Sequence, residues 1–453
     1  MQKYKDKKVA ILGLGLEGKD VLVFLQAQGA SVAVFDEKPF KNLDIKGVNV
    51  SGVRFFCGNA YDLSKIGSYD IIVRSPGVYR YLPEIIAAEK SGCQITSPIN
   101  IFLELCPAKT VGVTGTKGKG TTSTLIYEIL KTTGFRVHLA GNIGKPFLTL
   151  LPGLSKKDWV VLELSSFQLI DIKKSPNIAV VLNITVDHLD WHKDRKEYVN
   201  AKKSIVVHQK SGDAAVINGN YPEVKKFGKL GSGKKFYFGN SQKLSGAFVT
   251  RGQIFVGKSF IGETKDLLLK GKHNWENVLA ASLAARLAGA SLVAITKTVF
   301  SFKGLEHRLE LVGNFKGKGY YNDSFSTNPQ TTIAAVWAFK EPITIILGGF
   351  DKHLNYNVMG RQIARSTVQN CVLIGDIAGK IKKALIAAKF RGAIIEMGYV
   401  DMVAIVRKCH QITPTGGVVV LSPGSSSFDM FENYKERGYA FKKAVKNLSK
   451  LTT

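Results

Sequence analysis

KTVGVTGTKGKGTTSTLIYEILKTTG, residues 109–134, runs from a short apolar strand pattern through a turn rich in glycine and lysine into a helical pattern that ends at Gly134. A flexible linker would have no reason to lie between a β run and a helix whose first amides can hold an anion. The stretch therefore predicts a phosphate-binding loop in an α/β fold, with Lys119 against the transferring phosphoryl group.

The loop departs from the usual phosphate-loop spelling G-x-x-x-x-G-K-[ST]. Val113 stands where the first glycine belongs, and Gly120 stands where the magnesium-binding hydroxyl belongs. Thr121, one residue later, is the candidate hydroxyl in its place.

Upstream, the N-terminal region reads as strand, glycine-rich turn, helix and strand. KVAIL leads into a full G-x-G-x-x-G over residues 13–18, and the strand SVAVFD ends at Asp36. This context predicts a Rossmann-like unit that takes a nucleotide-type ligand at a helix N-terminus, with the acidic residue near a sugar hydroxyl. A further strand, DIIVR, runs into the turn Ser75-Pro76-Gly77, where ligands collect at the carboxyl edge of a parallel sheet.

Two strands after the loop end in polar residues. WVVLE carries Glu163, and NIAVVLN is followed by Asp187-His188. A carboxylate and an imidazole beside a phosphate loop indicate a metal site, although each alone is more often a structural hydrogen-bond partner. On the following helix, Lys202 taken by itself would be a solvated lysine.

The part from about Gly304 onward alternates apolar strands with helical stretches, as in a further, mostly parallel α/β unit. Its strand ends carry Asp323, Thr327, Lys352 and the serines at 425–427. Such an edge is typical of a site for a second substrate.

The charge distribution, the cysteines and the length of the apolar runs argue against several classes of protein. The net charge is +28, but the lysines are spread as singles and doublets along the chain, so no dedicated nucleic-acid surface is expected. The five cysteines are odd in number and lack any C-x-x-C pair, which indicates neither a disulfide framework nor a zinc site and favours a reducing cytoplasm. No apolar run approaches the length of a membrane span.

Nine motifs in order resemble the Mur ligase family, and the match is closest to the members that ligate D-glutamate. They are GVTGTKGKGTT, LELSSFQL, TVDHLD, YVNAKKS, GKHNWEN, LEHRLE, YNDSFSTNP, GGFDK and LSPGSSSFD. The resemblance implies a cytoplasmic enzyme of peptidoglycan synthesis that joins D-glutamate to UDP-N-acetylmuramoyl-L-alanine through an acyl phosphate, using ATP and two Mg²⁺ ions. A monomer is expected.

The implied architecture is α/β with three domains. A Rossmann-like domain over residues 1–107 would hold the UDP substrate. A central P-loop-type ATPase domain over 108–303 would bind ATP, and a C-terminal Rossmann-like domain over 304–453 would hold the amino acid.

The resemblance also assigns residues to each ligand. Those implied as catalytic are Lys119, Glu163, His188 and Lys202, the last as a carbamylated lysine. Those implied as metal ligands are Thr121, Glu163, His188 and the carbamylated Lys202. Those implied for ATP are Gly115, Thr116, Lys117, Gly118, Lys119, Gly120, Thr121, Asn274, Asn277, Arg308 and Asp323. Those implied for the UDP substrate are Leu16, Asp36, Ser75, Gly77 and Asn142. Those implied for D-glutamate are Thr327, Lys352, Ser427 and Tyr434.

Four positions depart from the family pattern. Gly120 replaces a Ser or Thr, although the sister folylpolyglutamate synthases have a similar G-K-G-[ST] loop. Phe325 stands where a lysine is usual, and Tyr434 replaces a phenylalanine. Glu17 replaces a small hydroxyl residue beside the nucleotide, so its side chain is expected to point away from the pyrophosphate.

Other functions remain open at this stage. A folylpolyglutamate synthase shares the loop spelling but does not need the roughly hundred residues before it. Another Mur ligase would take a different amino acid. An NAD-dependent oxidoreductase would explain residues 13–18 and Asp36 alone, and a basic nucleic-acid binder would explain only the charge.

Overall fold

The computed structural model describes residues 3–185, 191–243, 246–269 and 271–450, the last two as backbone only. The chain divides into two compact units, Met1–Asp266 with Trp275–Phe300, and Leu267–Asn274 with Ser301–Thr453. His188, predicted as a magnesium-site residue, lies outside the described residues.

The first unit begins with a parallel sheet of five strands in the order β3-β2-β1-β4-β5 among the residues described. The strands are β1 (Lys8–Leu12), β2 (Ser31–Asp36), β3 (Arg54–Cys57), β4 (Ile71–Arg74) and β5 (Gln94–Thr96). The helices are α1 (Leu16–Ala27), α2 (Pro83–Lys90) and α3 (Pro98–Leu105). The order 3-2-1-4-5 is that of the first five strands of a Rossmann-type sheet, as the glycine-rich turn predicts.

A second sheet completes the first unit. Its nine strands, counted over the described part of the chain, run in the order β14-β13-β12-β11-β10-β9-β6-β8-β7. The strands are β6 (Lys109–Thr114), β7 (Val137–Gly141), β8 (Trp159–Glu163), β9 (Ile178–Val181), β10 (Ala214–Asn218), β11 (Lys234–Gly239), β12 (Ala247–Thr250), β13 (Gln253–Val256) and β14 (Ser259–Glu263). The helices are α4 (Lys119–Thr132), α5 (Ser166–Leu169), α6 (Arg195–Val207), α7 (Pro222–Lys225), α8 (His273–Leu287) and α9 (Leu292–Ser301). All neighbouring pairs are parallel except β12–β13 and β13–β14.

The second unit contains the third sheet, whose six described strands run in the order β15-β16-β20-β17-β18-β19. The strands are β15 (Glu310–Phe315), β16 (Lys318–Asn322), β17 (Ile343–Gly348), β18 (Val368–Ile374), β19 (Ala393–Gly398) and β20 (Val418–Gly424). The helices are α10 (Pro329–Val336), α11 (Asn357–Ala364), α12 (Ala378–Ala387), α13 (Met402–Ile412) and α14 (Tyr434–Lys450). Only β15 is antiparallel to its neighbour, so the predicted mostly parallel sheet is confirmed.

The central strands are apolar on both faces, which explains why they read as continuous hydrophobic runs. In β1, Val9 and Ile11 pack into one core cluster, and Ala10 and Leu12 pack into another on the opposite face. The cluster of Val9 and Ile11 continues into the second sheet's residues, so the first two sheets share a core. The third sheet has its own cluster on each face.

All five cysteines are free. Among the helices that the structure describes, none is long and apolar enough to cross a membrane.

Candidate active site

The predicted phosphate loop joins β6 to the N-terminus of α4. Gly118 caps the helix with φ +88°, a left-handed conformation that glycine adopts without steric cost. A Cβ at this position would lie 2.2 Å from the Asn277 Oδ1 atom, so the loop also needs glycine for close approach. The Thr122 hydroxyl donates to the same oxygen at 3.2 Å. Asn277, predicted as an ATP contact, is therefore built into the wall of the loop.

The loop is held by a residue that the sequence analysis missed. Asn183 lies just beyond the end of β9; its carbonyl oxygen accepts from the Thr116 amide at 2.7 Å, and its Oδ1 accepts from the Lys117 amide at 2.9 Å. The Lys119 Nζ donates to the Gly115 and Thr116 carbonyl oxygens, each at 3.1 Å. The ammonium group thus lies over the loop, at the end of the helix where an anion is favoured.

Lys202 is buried, only 2 % exposed, so the interpretation of it as a solvated helix lysine is wrong. Its Nζ donates to the Gly115 carbonyl at 3.1 Å and to the Thr114 hydroxyl at 3.4 Å. The signal was present in the sequence, because Lys202 is four residues from Tyr198 and from Val206, which are both buried on the same helix face.

Glu163 ends β8 directly beside the start of the phosphate loop. It is in register with Val113 of β6 and is 6 % exposed. Thr121 lies in the first turn of α4 and is partly exposed. Across the described residues there is no group of three or more His, Cys, Asp or Glu side chains that could hold a metal ion. A carboxylate and a hydroxyl beside a phosphate loop are nevertheless the oxygen donors that suit Mg²⁺, which usually completes its shell with water and phosphate oxygens.

The residues predicted for the UDP substrate meet at the carboxyl edge of the first sheet. The Asp36 carboxylate accepts from the Leu14 amide at 2.7 Å, and the Ser75 hydroxyl donates to the Gly13 carbonyl at 2.7 Å. Leu16, in the first turn of α1, is 66 % exposed. A Cβ on Gly18 would lie 2.2 Å from the Gly13 carbonyl oxygen, which explains the third glycine of the motif.

Of the other two residues predicted for the UDP substrate, Gly77 lies at this edge, whereas Asn142 follows β7 of the second sheet. The Gly77 carbonyl accepts from the Trp191 indole at 3.2 Å. The Asn142 amide, just after β7, donates to the Glu163 carbonyl at 3.1 Å. Asn142 thereby lies beside the end of β8, which carries the predicted magnesium-site carboxylate.

The Glu17 carboxylate faces the second sheet. Its Oε1 accepts from the Gln168 Nε2 at 2.6 Å, and Gln168 belongs to the capping box at the start of α5. Burial raises the pKa of the Glu17 carboxyl to about 7, against the lowering effects of the Gln168 hydrogen bond and of the nearby Arg74. A carboxyl group with this pKa is only partly charged near neutrality, which makes it tolerable in the turn that the sequence predicts to bind a phosphate.

Arg74 is a second residue that the sequence analysis missed. Its side chain is fully buried at the end of β4, where its guanidinium pairs with Asp171 at 2.6 Å and donates to the Phe167 carbonyl at 2.8 Å. The same group donates to the Val78 carbonyl at 2.6 Å. One arginine therefore ties the turn that carries Ser75 to the segment after β8. The sequence did contain a signal for this role of Arg74. The residue ends the apolar run DIIVR, and a charged side chain buried at the end of such a run needs a partner.

In the second unit, Asp323 follows β16 and is fully enclosed. Its carboxylate accepts from the Ser422 hydroxyl at 2.8 Å, from the Ser326 hydroxyl and from the Leu309 amide. Burial raises the pKa of Asp323 to about 6, because desolvation outweighs these hydrogen bonds and the charge of Arg308. Asn274, which with Arg308 and Asp323 makes three ATP-predicted residues in this unit, is buried in the first turn of α8.

The residues predicted for D-glutamate differ in exposure. Ser427 is buried, Tyr434 and Thr327 are partly buried, and Lys352 is exposed in the segment after β17. The Tyr434 carbonyl accepts from the Ser324 hydroxyl at 2.7 Å. The place of Lys352 in this site stays a prediction.

Arg437, which no sequence pattern singled out, is buried beside these residues on α14. Its guanidinium donates to the Ser324 and Ser425 carbonyls at 2.9 and 3.0 Å, and burial lowers its pKa to about 10. Its Nη1 and the Ser427 hydroxyl are buried without a hydrogen-bond partner among the described residues. Unsatisfied buried donors of this kind suit an anionic ligand.

Family models match two stretches of the chain. Residues 7–97 match the Mur ligase MurD-like N-terminal domain, and residues 113–285 match the Mur ligase middle domain. The UDP-N-acetylmuramoylalanine–D-glutamate ligase of Acetivibrio thermocellus is 38 % identical, over 99 % of this chain and 98 % of its own. The enzyme of that name from Clostridium tetani is 37 % identical, over 98 % and 97 %.

The chain belongs to the Mur ligase family. As a Mur ligase it is an ATP-dependent ligase of peptidoglycan-precursor synthesis, which confirms the predicted family and class of enzyme.

Solved Mur ligases share the fold. The UDP-N-acetylmuramate–alanine ligase of Thermotoga maritima aligns with a TM-score of 0.58 at 15 % identity, over 98 % of this chain and 99 % of its own. A MurF structure from Acinetobacter baumannii aligns with a TM-score of 0.58 at 18 % identity, over 97 % and 93 %. These similarities confirm the predicted α/β Mur ligase architecture.

Proposed function

We propose that this Mur ligase joins D-glutamate to UDP-N-acetylmuramoyl-L-alanine through an acyl phosphate formed with ATP. The observation that carries the proposal is the loop between β6 and α4, where Lys119 and Lys202 both donate to the Gly115 carbonyl above a helix N-terminus. The full-length relatives that carry this substrate pair in their names support the choice of substrates.

The chemistry explains why an ATP site is needed. A carboxylate is a poor electrophile at neutral pH, so the muramoyl-alanine carboxylate must first receive a phosphoryl group. The amine of D-glutamate then attacks the acyl phosphate and releases phosphate. Lys119 and the first amides of α4 would hold the transferring phosphoryl group and stabilise its developing charge.

The magnesium proposal rests on the donors of the described residues. Glu163 and Thr121 would hold Mg²⁺, which would neutralise charge during phosphoryl transfer. Lys202 lies against the loop, so carbamylation of its amine would place a carboxylate-like group there; this modification and the role of His188 remain predictions.

The residues for the other ligands are those that the resemblance to the family implies. Asp36, Ser75 and Gly77 would bind the UDP substrate at the first sheet, with Leu16 and Asn142 beside them. Asn274, Asn277, Arg308 and Asp323 would contribute to ATP binding. Thr327, Lys352, Ser427 and Tyr434 would hold D-glutamate. The buried donors of Ser427 and Arg437 that have no hydrogen-bond partner in the described part of the chain support an acidic amino acid.

The wider organisation is part of the same proposal. We infer domains at residues 1–107, 108–303 and 304–453, a cytoplasmic location and a monomer. The free cysteines support a reducing compartment.

The proposal is tested by replacing Lys119. Because Lys119 would stabilise the transferring phosphoryl group, Lys119→Ala should lower kcat for phosphate release at least about a hundredfold in the complete mixture. Lys131→Ala is the matched control, since it removes the same charge from the far end of α4. Equal rates for the two variants would refute the role of the loop.

A further inference from the structure

The turn that carries Arg308 is held in an unfavourable backbone conformation. His307 has φ +65° and Leu309 has φ +45°, the left-handed region that side chains other than glycine rarely adopt. The surrounding structure fixes both residues. The Leu309 amide donates to the Asp323 carboxylate at 3.1 Å, and the Phe325 amide donates to the His307 carbonyl at 3.0 Å. Backbone strain that is over-determined in this way often marks a functional position.

Helix α14 packs against the turn that carries Arg308. The His307 ring is buried, and its Nδ1 lies 2.9 Å from the Asn322 Nδ2. A Cβ on Gly438 would lie 2.2 Å from this ring, so the helix approaches closely only because it has glycine there. The Tyr439 ring packs on His307 with centroids 4.8 Å apart. The turn therefore has little freedom to relax.

This rigid turn places Arg308 on an aromatic face. The guanidinium carbon of Arg308 lies 3.9 Å from the centroid of the Phe325 ring. The Tyr434 ring meets Phe325 edge-on, with centroids 5.1 Å apart and planes at 88°. Phe325 is 37 % exposed, so its ring is fixed by these two neighbours and not by deep burial.

We propose that Phe325 is a positioning residue of the ligation, whose ring face fixes the orientation of the Arg308 guanidinium toward an anionic oxygen group of a substrate. Stacking on a ring uses the flat face of a guanidinium, whereas its N–H groups point outward in its plane, in the geometry that matches a carboxylate or phosphate in a two-point contact. The inference rests on the proposed function for the identity of that substrate. The ATP phosphates and the D-glutamate carboxylates are the two sources of such a group.

The experiment compares Phe325→Leu, which removes the ring, with Phe325→Tyr, which keeps it. KM is measured for ATP and for D-glutamate in turn, and thermal unfolding checks that each variant folds. Because a cation–π contact changes affinity by about 3- to 30-fold, Phe325→Leu should raise one of the two KM values by that factor, while Phe325→Tyr stays within about twofold of wild type. The substrate whose KM rises identifies the source of the anion.

A double-mutant cycle separates positioning from a merely structural role. In an Arg308→Lys background, Phe325→Leu should lose most of its effect, since the planar guanidinium is already absent. Full additivity of the two changes, or wild-type KM values for Phe325→Leu, would overturn the inference. Failure of the wild type to turn over these substrates would instead refute the proposed function. Calorimetric titration of the same variants with ATP and with D-glutamate would then still decide the role of Phe325.

Discussion

At the phosphate loop, the absence of one Cβ atom allows Gly118 and Asn277 to lie in contact. Gly118→Ala should strongly weaken ATP binding, because the new methyl group would displace the Asn277 amide in addition to straining the backbone at φ +88°.

Gly134→Ala is the matched control. Its φ is +93°, but nothing lies within 4 Å of the added Cβ. The control should lose about 1 kcal/mol of stability and keep its ATP affinity, as measured by calorimetry and urea unfolding. Equal losses of affinity would show that the Asn277 contact is unimportant.

The buried Glu17 carboxyl should make the free energy of unfolding depend on pH. Its pKa in the folded protein is raised from 4.5 to about 7, so the folded state binds this proton more tightly than the unfolded state does. The contribution of Glu17 to the free energy of unfolding therefore falls as pH rises from about 4.5 to 7, and is constant above that. Glu17→Gln removes this titration, so the variant should gain up to about 3 kcal/mol relative to wild type across this range.

The measurement is urea unfolding of both proteins at a series of pH values. Only the change with pH in the difference between them reports on Glu17, because the groups facing it, Gln168, Arg74 and Asp20, are present in both. A difference that stays flat between pH 4.5 and 7 would contradict the assigned burial of the carboxyl.

At the scale of elements, the buried pair of Arg74 and Asp171 joins the end of β4 to the segment after α5. Asp171→Asn should destabilise the protein by about 3 kcal/mol, because it leaves the guanidinium charge of Arg74 buried without its carboxylate. Arg80 also pairs with Asp171, at 2.9 Å, and would lose the same partner.

The control for this pair is Glu223→Gln, which breaks an ion pair with Arg195 on the surface of the same unit. An exposed pair contributes about 0–1 kcal/mol, so the control should unfold close to wild type. Similar urea midpoints for the two variants would show that the buried pair does not hold these elements together.

Elements whose periodicity is local could be predicted from the sequence. The strand–loop–helix over residues 109–134 and the G-x-G-x-x-G turn both appear at the predicted places, because apolar strands and glycine turns are properties of short segments. The partners of Arg74, Glu17 and Lys202 could not be predicted in this way. Their contacts join residues far apart in the chain, and only the fold brings those residues together.

At the scale of the whole molecule, we propose that each of the three sheets contributes the site of one ligand. The first two lie in one compact unit and the third in another. The number and type of sheets could be predicted from the sequence, while the domain boundaries at residues 107 and 303 stay predictions. The roles of Phe325 and Gly120 also stay predictions, because they depend on bound ligands. A ligase with three substrates requires them to be brought together before water can attack the acyl phosphate.

The central claim is most directly tested by the product itself. The wild-type protein is incubated with ATP, magnesium, UDP-N-acetylmuramoyl-L-alanine and D-glutamate, and each component is omitted in turn while amide product and phosphate are measured together. We predict one phosphate for each amide formed, no product when any substrate is missing, and a strong preference for D-glutamate over other amino acids. Absence of amide product with the UDP-muramoyl substrate, whichever amino acid is supplied, would contradict the account.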